Sequence, residues 1–461
     1  MAAGDLERSL GLFPTMMISM GAMIGSGIFV LPALGFKKAG PAVILAYVVA
    51  AVVVAPAALS KSEMATAMPE SGGTYLYIDR ALGPLFGTIA GIGAWFSLVF
   101  KSSFALVGLG AYFLLFAPVS QGAVVFVALG IAALVVALNV SGTKLSGSVQ
   151  AVIVRLVLVG LVAYTLNAGF VGDTGQFTPF TPEGNIDVVT AAAFVFVSYA
   201  GVTKIASVAE EVKDPGRNLP LAMLGSLSMM LVIYVAVVAA VVALADAETL
   251  TKGGPDGTAS LTPMADGAAQ LFGGFGVVVV SIVAVVALTS MANAGVLSSS
   301  RFPLAMSRDS LLPPALRRID RRFKTPRNAV LLTGAVLLVL IAFVPVIELA
   351  KLASAFQILV FSIINVALVA FREADLASYD PDFVAPGYPY VQAFGVVGGG
   401  VLLTQMGTLP ILGAAGIIAG GVAVYAVYGR SRTDRTGALG TIRSRRRGEA
   451  DDGIVLTTED D

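Results

Sequence analysis

The sequence predicts an all-α membrane protein that crosses the bilayer many times. Hydrophobic residues make up 57% of the chain and charged residues 13%, and the mean hydropathy is +0.88. An average soluble domain has roughly 25% charged residues. The apolar residues form many separate runs of about 20, the length that a helix needs to span a bilayer. Because these runs are continuous rather than alternating, an outer-membrane β-barrel is excluded.

About twelve spans are predicted in order along the chain. No cleavable signal peptide is evident, so the first apolar run is expected to be the first span. The predicted limits are 14–34, 41–67, 86–117, 121–140, 147–170, 187–209, 219–245, 269–300, 328–346, 351–371, 391–408 and 410–428.

The segments outside the spans fix the expected orientation. Lysine and arginine concentrate in alternate loops, for example at Lys61, Arg217 and Arg372. This bias predicts that both termini are cytoplasmic and that the protein lies in the plasma membrane. Residues 1–13 are then a cytoplasmic N-terminus. The polar tail 429–461 is low in apolar residues and is expected to be disordered.

The first span is interrupted in its middle by Gly21, Gly25, Ser26 and Gly27. Each glycine costs about 1 kcal/mol relative to alanine inside a helix, so this is a poor sequence for a plain anchor. Irregular backbone at membrane depth is tolerated only where it is buried in protein or lines a cavity. Its N–H and C=O groups can bind a small charged solute. The competing interpretation is close helix packing through small residues.

The sixth span carries a weaker interruption, at Ser198, Tyr199, Ala200 and Gly201. Two interrupted spans at corresponding places in two halves are typical of a transporter built from inverted repeats, with its site at the midplane. Because this interruption holds a single glycine, close packing explains it equally well.

Several classes of protein are disfavoured by composition. The chain has no cysteine and no histidine, which removes disulfides, thiolate metal sites and the commonest proton carrier near neutral pH. The spans also lack a clustered carboxylate pair for acid–base catalysis. We therefore expect no enzyme activity, no cofactor, no metal and no nucleic-acid partner.

Several motifs together resemble the amino acid–polyamine–organocation (APC) permeases. GSGIF at 25–29 resembles the first-helix signature of that superfamily, and the element at 69–75 resembles its first inner loop. Further similarity lies at 207–220, 298–329 and 385–389. The resemblance covers nearly the whole chain except the tail. It implies a LeuT-type fold, with inverted five-helix repeats at 14–170 and 187–371 and two more helices at 390–428.

The resemblance also implies a site for an amino acid zwitterion. The N–H groups of Ser26 and Gly27 would bind the carboxylate, and the carbonyl of Met23 would bind the ammonium. Carbonyls of the sixth span would complete the ammonium site, and Tyr199 would shape the pocket. The predicted substrate-binding residues are Met23, Gly25, Ser26, Gly27, Val197, Ser198, Tyr199, Ala200 and Gly201.

Three basic residues lie inside apolar spans, namely Lys101, Arg155 and Lys204. Each costs several kcal/mol at the midplane unless it is paired or hydrated. Arg155 falls where many members of the superfamily carry a lysine in place of a sodium ion. Since a guanidinium stays protonated, Arg155 is predicted to be a fixed cation, with Lys101 or Lys204 as the proton carrier. The structural alternative is snorkelling or bonding to backbone carbonyls.

The function implied by the resemblance is secondary transport of an amino acid by alternating access, independent of sodium. Thr203 stands where several members have an acidic residue, which favours a neutral or acidic substrate over a cationic one. The alternatives are an uncoupled exchanger or facilitator, a cationic amino acid or polyamine permease, and an amino acid sensor that does not transport. Glu63, Glu210 and Glu211 lie near cytoplasmic span ends and are interpreted as gate or loop anchors.

Overall fold

The computed structural model describes residues 8–69, 73–116, 123–142, 147–182, 184–254, 257–433 and 435–447. Within these ranges the chain is helical and contains no strand. Eight stretches are long and apolar enough to cross a membrane, and four shorter apolar helices accompany them. This agrees with a multi-span membrane protein, whereas the number of twelve spans and the inverted repeat stay predictions.

The interruption in the first span is present and short. Helix α1 (Leu12–Met23) ends before Ile24 and Gly25, whose backbone is extended. Helix α2 (Ser26–Phe29) and helix α3 (Leu31–Ala39) follow. The glycine-rich sequence therefore produces two non-helical residues, with helix on both sides.

The rest of the first half contains five helices. The short helix α5 lies between α4 and α6 in the chain. These helices are α4 (Val43–Ala67), α5 (Gly73–Leu82), α6 (Pro84–Leu114), α7 (Val124–Val140) and α8 (Gly147–Val171).

The sixth span differs from its prediction. Helix α9 (Asn185–Val195) continues as a 3₁₀ helix, Phe196–Glu211, in which the non-helical residue is Val208. The predicted interruption at 198–201 is therefore wrong, because those residues stay helical with 3₁₀ geometry. Runs of 3₁₀ helix longer than three or four residues are uncommon and often mark a functional hinge. We name Phe196–Glu211 the 3₁₀ segment.

The second half continues with helices of very different lengths, from the 6 residues of α11 to the 46 residues of α12. Helix α12 is bent at Phe272 and Gly273, and Gly273 has a positive φ of 56°. The helices are α10 (Pro215–Leu244), α11 (Ala247–Lys252), α12 (Pro263–Arg308), α13 (Arg327–Phe343), α14 (Val346–Ala374), α15 (Tyr390–Thr404) and α16 (Thr408–Val424).

Helix packing brings the two halves of the chain together at the interruption. Helix α1 packs against α10 and the 3₁₀ segment, while α6 packs against α12 and α14. Gly201 makes a very close approach, since a Cβ added there would lie 2.6 Å from the carbonyl carbon of Ala22. Glycine at this position is what lets the 3₁₀ segment lie directly against the end of α1.

A buried carboxylate links the C-terminal ends of α4 and α14. The side chain of Glu63 is 1% exposed and forms a salt bridge with Arg372. The Nε of Arg372 donates to it at 2.8 Å and the backbone N–H of Ala385 at 2.7 Å. The Tyr379 hydroxyl donates to the same carboxylate at 3.2 Å. Glu63 is therefore a structural anchor, as its position near the span end indicates.

Part of the tail forms a helix that packs against the rest of the protein. Helix α17 (Ala438–Arg447) packs against α5 and α14, whereas its composition predicts disorder. Its apolar residues Leu439 and Ile442 are three apart and share one face, which borders a groove with Leu82. The apolar face of this short helix packs against the rest of the protein, and its basic residues add polar contacts. Residues 1–7 and 448–461 lie outside the described residues.

One arginine of the tail binds carboxylates on α5 and after α12. The guanidinium of Arg435 lies 3.5 Å from the carboxylate of Asp79 on α5 and 3.3 Å from that of Asp309 after α12. Burial raises the pKa of Asp79 to about 6, although the charge of Arg435 opposes this rise. The ionised form of Asp79 therefore depends on Arg435.

Candidate functional site

The interruption in the first span lies beside a methionine of α12. The backbone N–H of Ser26 donates to the sulfur of Met291 at 3.4 Å. A Cβ on Gly25 would lie 1.9 Å from the same sulfur, so glycine is needed for this approach. A thioether is a weak acceptor. The Ser26 amide that we predict to bind a carboxylate is thus held by a weak protein ligand.

Gly27 brings the interruption against two other elements. Its carbonyl accepts a hydrogen bond from the Tyr47 hydroxyl of α4 at 2.7 Å. A Cβ at this position would lie 2.7 Å from the Oγ of Ser198 and 3.0 Å from the Tyr234 hydroxyl. The Oγ of Ser198 is buried and has no hydrogen-bond partner. Glycine at position 27 therefore lets the interruption lie directly against Ser198 and Tyr234.

Two of the predicted ammonium ligands are already engaged by Tyr234 of α10. Its hydroxyl lies 2.7 Å from the carbonyl of Met23 and 3.1 Å from the carbonyl of Ser198. Tyr199 is fully buried and donates to the carbonyl of Tyr47 at 3.1 Å. Tyr47, Tyr199 and Tyr234 form a tyrosine cluster, with ring centroids about 5 Å apart. Met23 and Ser198 therefore lie at the site, but their carbonyls both contact Tyr234, which joins the end of α1 to the 3₁₀ segment.

The other predicted residues of the sixth span separate into two groups. Val197 is buried, and its backbone N–H donates to the Ser354 hydroxyl of α14 at 3.2 Å. Ala200 and Gly201 line a cavity together with Ala22. The geometry thus places Val197 against α14, and Ala200 and Gly201 beside the interruption.

This cavity has a volume of about 110 Å³ and lies between α1, α6, α12 and the 3₁₀ segment. Its walls are mostly small or apolar side chains. Ser102, Ser207, Ser298 and Gln357 add neutral polar groups. The apolar residues are Ala22, Ala94, Leu98, Ala200, Met291, Ala294, Phe302 and Val360. We call this space the central cavity.

Three lysines give the central cavity a positive character, namely Lys61, Lys101 and Lys204. Lys101 is 5% exposed, and its ammonium donates to the carbonyl of Ala22 at 3.2 Å. Ala22 lies in the last turn of α1, where helix carbonyls lack helical partners. Among the described lining residues there is no carboxylate. Lys101 and Lys204 thus lie where the sequence predicts a coupling role.

Lys61 is buried inside the protein, whereas the charge pattern of the sequence places it among the basic residues of the cytoplasmic loops. Its side chain is 1% exposed. The ammonium donates to the hydroxyl of Thr74 on α5 at 2.6 Å and to the carbonyl of Thr203 at 2.8 Å. Lys61 therefore joins α4, α5 and the 3₁₀ segment in the wall of the cavity.

Arg155 is not brought to the central cavity. Its side chain is exposed on α8, and its guanidinium lies 6.0 Å from the ring centroid of Phe13. Leu156 and Val159 on the same helix are 67% and 68% exposed, which marks this surface as lipid-facing. The geometry agrees with snorkelling and not with a fixed cation beside the interruption.

The polar residues of α12 also divide between packing and cavity. Asn293 accepts a hydrogen bond from Asn139 of α7 at 2.8 Å, and the hydroxyl of Thr289 donates to the carbonyl of Val285. Ser298 lines the central cavity. Sequence alone leaves both roles open for this group.

Sequence reasoning missed Met291, the tyrosines Tyr47 and Tyr234, and the place of Lys61 in the cavity wall. A tyrosine inside an apolar span is a usable signal, because its buried hydroxyl needs a partner. Met291 carries no such signal, since methionine is an ordinary residue in apolar helices.

Comparisons with known proteins agree with this architecture. Residues 10–429 match the family described as "Amino acid permease". The branched-chain amino acid permease BcaP of Bacillus subtilis is 30% identical, over 93% of this chain and 94% of that protein. The methylthioribose transporter of the same organism is 29% identical, over 93% and 95%. Cationic amino acid transporter 5 of Arabidopsis thaliana is 30% identical, over 80% of this chain and 66% of that protein.

All three of these relatives are named as permeases or transporters, which points to a transporter rather than an enzyme. The family match extends from the start of α1 to the end of α16 and its following turn. The match covers far more than half of the chain. The protein therefore belongs to the amino acid permease family of the APC superfamily.

Proposed function

We propose that the protein is a secondary transporter that moves a neutral amino acid across the plasma membrane by alternating access, independently of sodium. The observation that carries this proposal is the helix interruption at Ile24 and Gly25, which directly follows the turn of α1 whose Ala22 lines a cavity with lysines and apolar side chains. Both termini are proposed to be cytoplasmic, following the distribution of basic loops.

The carboxylate is proposed to bind the amides of Ser26 and Gly27. Backbone N–H groups at the start of a helical segment carry a partial positive charge and can approach a ligand closely at glycine. The ammonium ions of Lys101 and Lys204 add positive charge to the same cavity. A carboxylate is therefore the group that the cavity attracts most strongly.

The substrate side chain is proposed to be neutral and apolar. Leu98, Phe302 and Val360 line the cavity, whereas no described lining residue supplies a carboxylate for a cationic side chain. The branched-chain amino acid permease supports this choice and the cationic amino acid transporter opposes it. We give more weight to the cavity, because the substrate meets its walls.

Sodium independence is supported by Lys101, whose ammonium already lies on the carbonyl of Ala22. Two candidate coupling modes differ in the role of Lys101 and Lys204, which line the cavity. In a proton-coupled transporter, Lys101 or Lys204 carries the proton. In an exchanger, both lysines keep their charge throughout the cycle.

Uptake into proteoliposomes tests the proposal. Purified protein is assayed with radiolabelled leucine, arginine and glutamate in sodium-free buffer, with and without an imposed pH gradient. We expect leucine uptake in the absence of sodium. Accumulation only with the gradient identifies proton coupling, and counterflow without it identifies exchange. Arginine or glutamate uptake in place of leucine contradicts the neutral substrate.

A glycine pair provides the matched control. Gly27→Val places a branched side chain against Ser198 and Tyr234 and should abolish uptake. Gly130→Val lies on the exposed surface of α7 with nothing within 4 Å and should retain it. Normal uptake by Gly27→Val would remove the interruption from the transport mechanism.

A further inference from the structure

Two side chains that line the central cavity, those of Met291 and Lys101, lie on polar backbone groups at the interruption. Met291 accepts from the Ser26 amide at 3.4 Å, and Lys101 donates to the Ala22 carbonyl at 3.2 Å. The Ser26 amide is a hydrogen-bond donor and the Ala22 carbonyl is an acceptor, and the two residues lie four positions apart in the chain. An amino acid zwitterion offers the same two complements, an acceptor carboxylate and a donor ammonium.

We propose that Met291 and Lys101 are internal competitors of the substrate, so that binding is an exchange of ligands at these two backbone groups. The carboxylate replaces the Met291 sulfur on the Ser26 amide. The substrate ammonium replaces the Lys101 ammonium on the Ala22 carbonyl. This inference rests on the proposed function and adds two residues that set affinity.

The exchange at Met291 favours the carboxylate for a chemical reason. A thioether sulfur is a weak hydrogen-bond acceptor, whereas hydrogen bonds to a carboxylate are about twice as strong as neutral ones. The flexible side chain can rotate about three bonds without moving α12. The sulfur therefore keeps the Ser26 amide partnered in a buried site and yields to a stronger acceptor.

The exchange at Lys101 is closer to balance, because one ammonium replaces another on the same carbonyl. Lys101 lies in the middle of α6 and is 5% exposed, so its charge stays near the cavity after displacement. Ligands that carry an ammonium compete with Lys101, whereas ligands that carry only a carboxylate do not. The two subsites can therefore be tested separately.

Binding to the purified full-length protein tests the proposal with three probes. These are leucine, 4-methylpentanoate, which lacks the ammonium, and isoamylamine, which lacks the carboxylate. Each is measured by competition against radiolabelled leucine. We expect Met291→Leu, which removes the sulfur acceptor, to tighten leucine and 4-methylpentanoate by about two- to tenfold and to leave isoamylamine unchanged.

Met291→Gln should change affinity in the opposite direction. Its side-chain carbonyl is a stronger acceptor than a thioether, so leucine and 4-methylpentanoate should weaken by a similar factor. The pair of substitutions protects the test against a general packing effect, which would shift both variants alike. Met306→Leu, in the same helix but packed beside Tyr75 and Gly91, is the control and should match wild type.

Lys101→Met keeps an unbranched side chain that is one atom shorter and removes its donor. It should tighten isoamylamine and leave 4-methylpentanoate unchanged or weaker. If the wild-type protein binds the probes but the affinities of Met291→Leu and Lys101→Met are unchanged or shift in the opposite direction, the exchange is overturned. The proposed function then stands. A wild-type protein that binds none of the three probes overturns the proposed function, and the exchange with it.

Discussion

The contact between Gly201 and the end of α1 gives the sharpest prediction about packing. A Cβ at this position would lie 2.6 Å from the carbonyl carbon of Ala22 and 2.7 Å from the backbone nitrogen of Met23. Ordinary contact starts at 3.4 Å, so Gly201→Ala is about 0.8 Å too close. Both neighbours are backbone atoms and cannot rotate away, so α1 and the 3₁₀ segment must separate.

The cost of this separation can be bounded. One excess methyl group in a packed core costs about 1–3 kcal/mol, and each 1.4 kcal/mol changes an equilibrium about tenfold. We therefore expect Gly201→Ala to lower the melting temperature of the purified protein in detergent and to reduce leucine uptake into proteoliposomes by about fivefold or more. The separation also shifts Ala22, which lines the central cavity.

The matched control is Gly130→Ala on α7. Nothing lies within 4 Å of its added Cβ, and alanine is favoured over glycine inside a helix by about 1 kcal/mol. This variant should match or exceed wild type in stability and transport normally. Wild-type stability and uptake in Gly201→Ala would refute the close contact between the two elements.

Three further predictions concern charged residues outside the cavity. Glu63→Gln leaves the Arg372 guanidinium without its buried carboxylate, and the loss of one partner from such a pair costs about 3–5 kcal/mol, so the melting temperature should fall clearly. Arg435→Gln should destabilise the protein more at pH 8 than at pH 5, because Asp79, with a pKa of about 6, is ionised only at the higher pH and then lacks its cation. Arg155→Gln should retain leucine uptake within about twofold, because this exposed residue does not line the cavity.

Each of these predictions has its own check. Glu348→Gln, which breaks the partly exposed pair with Lys351, should cost much less than Glu63→Gln, and equal losses would contradict the anchor. For Arg435→Gln, the melting temperature is compared with wild type at both pH values, and a pH-independent difference would exclude Asp79 as the group that titrates. For Arg155→Gln, loss of uptake in protein of normal stability would restore Arg155 to the mechanism.

The sign of the pH prediction follows from the direction of the pKa shift. Burial raises the pKa of Asp79, and the charge of Arg435 opposes this rise more than that of Arg80, so Arg435 is the main cation that stabilises the ionised form. The difference in stability between wild type and Arg435→Gln therefore grows as the pH rises through about 6 and shrinks as Asp79 is protonated. Asp309, the other carboxylate beside Arg435, is kept unchanged in both proteins.

The part of the site that sequence predicts well is local. Gly25 and Gly27 lie within one helical turn, and their density alone predicts the interruption. The interruption predicted at Ser198 to Gly201 was wrong, because a single glycine does not break a helix that tertiary packing supports. There the chain changes to 3₁₀ geometry instead.

The part that sequence could not predict depends on distant contacts. Ser26 and Met291 are 265 positions apart, and nothing in either neighbourhood indicates the other. Arg155 and Lys101 look alike in sequence, since both lie in apolar runs. Packing alone decides that one faces the surface and the other faces the carbonyl of Ala22.

The position of the tail also depends on contacts with residues that are distant in the sequence. A basic segment with few apolar residues is typical of disorder. Its docking depends on Asp79 and Asp309, which lie far from Arg435 in the sequence and come together only in the folded protein.

A cryo-electron microscopy structure of the full chain with saturating leucine would locate the substrate site. We expect the leucine carboxylate at about 3 Å from the backbone nitrogens of Ser26 and Gly27, with the Met291 sulfur moved away from Ser26. The ammonium should lie on the Ala22 carbonyl. Leucine bound elsewhere, with Met291 still on the Ser26 amide, would contradict the claim that the interruption in the first span is the substrate site.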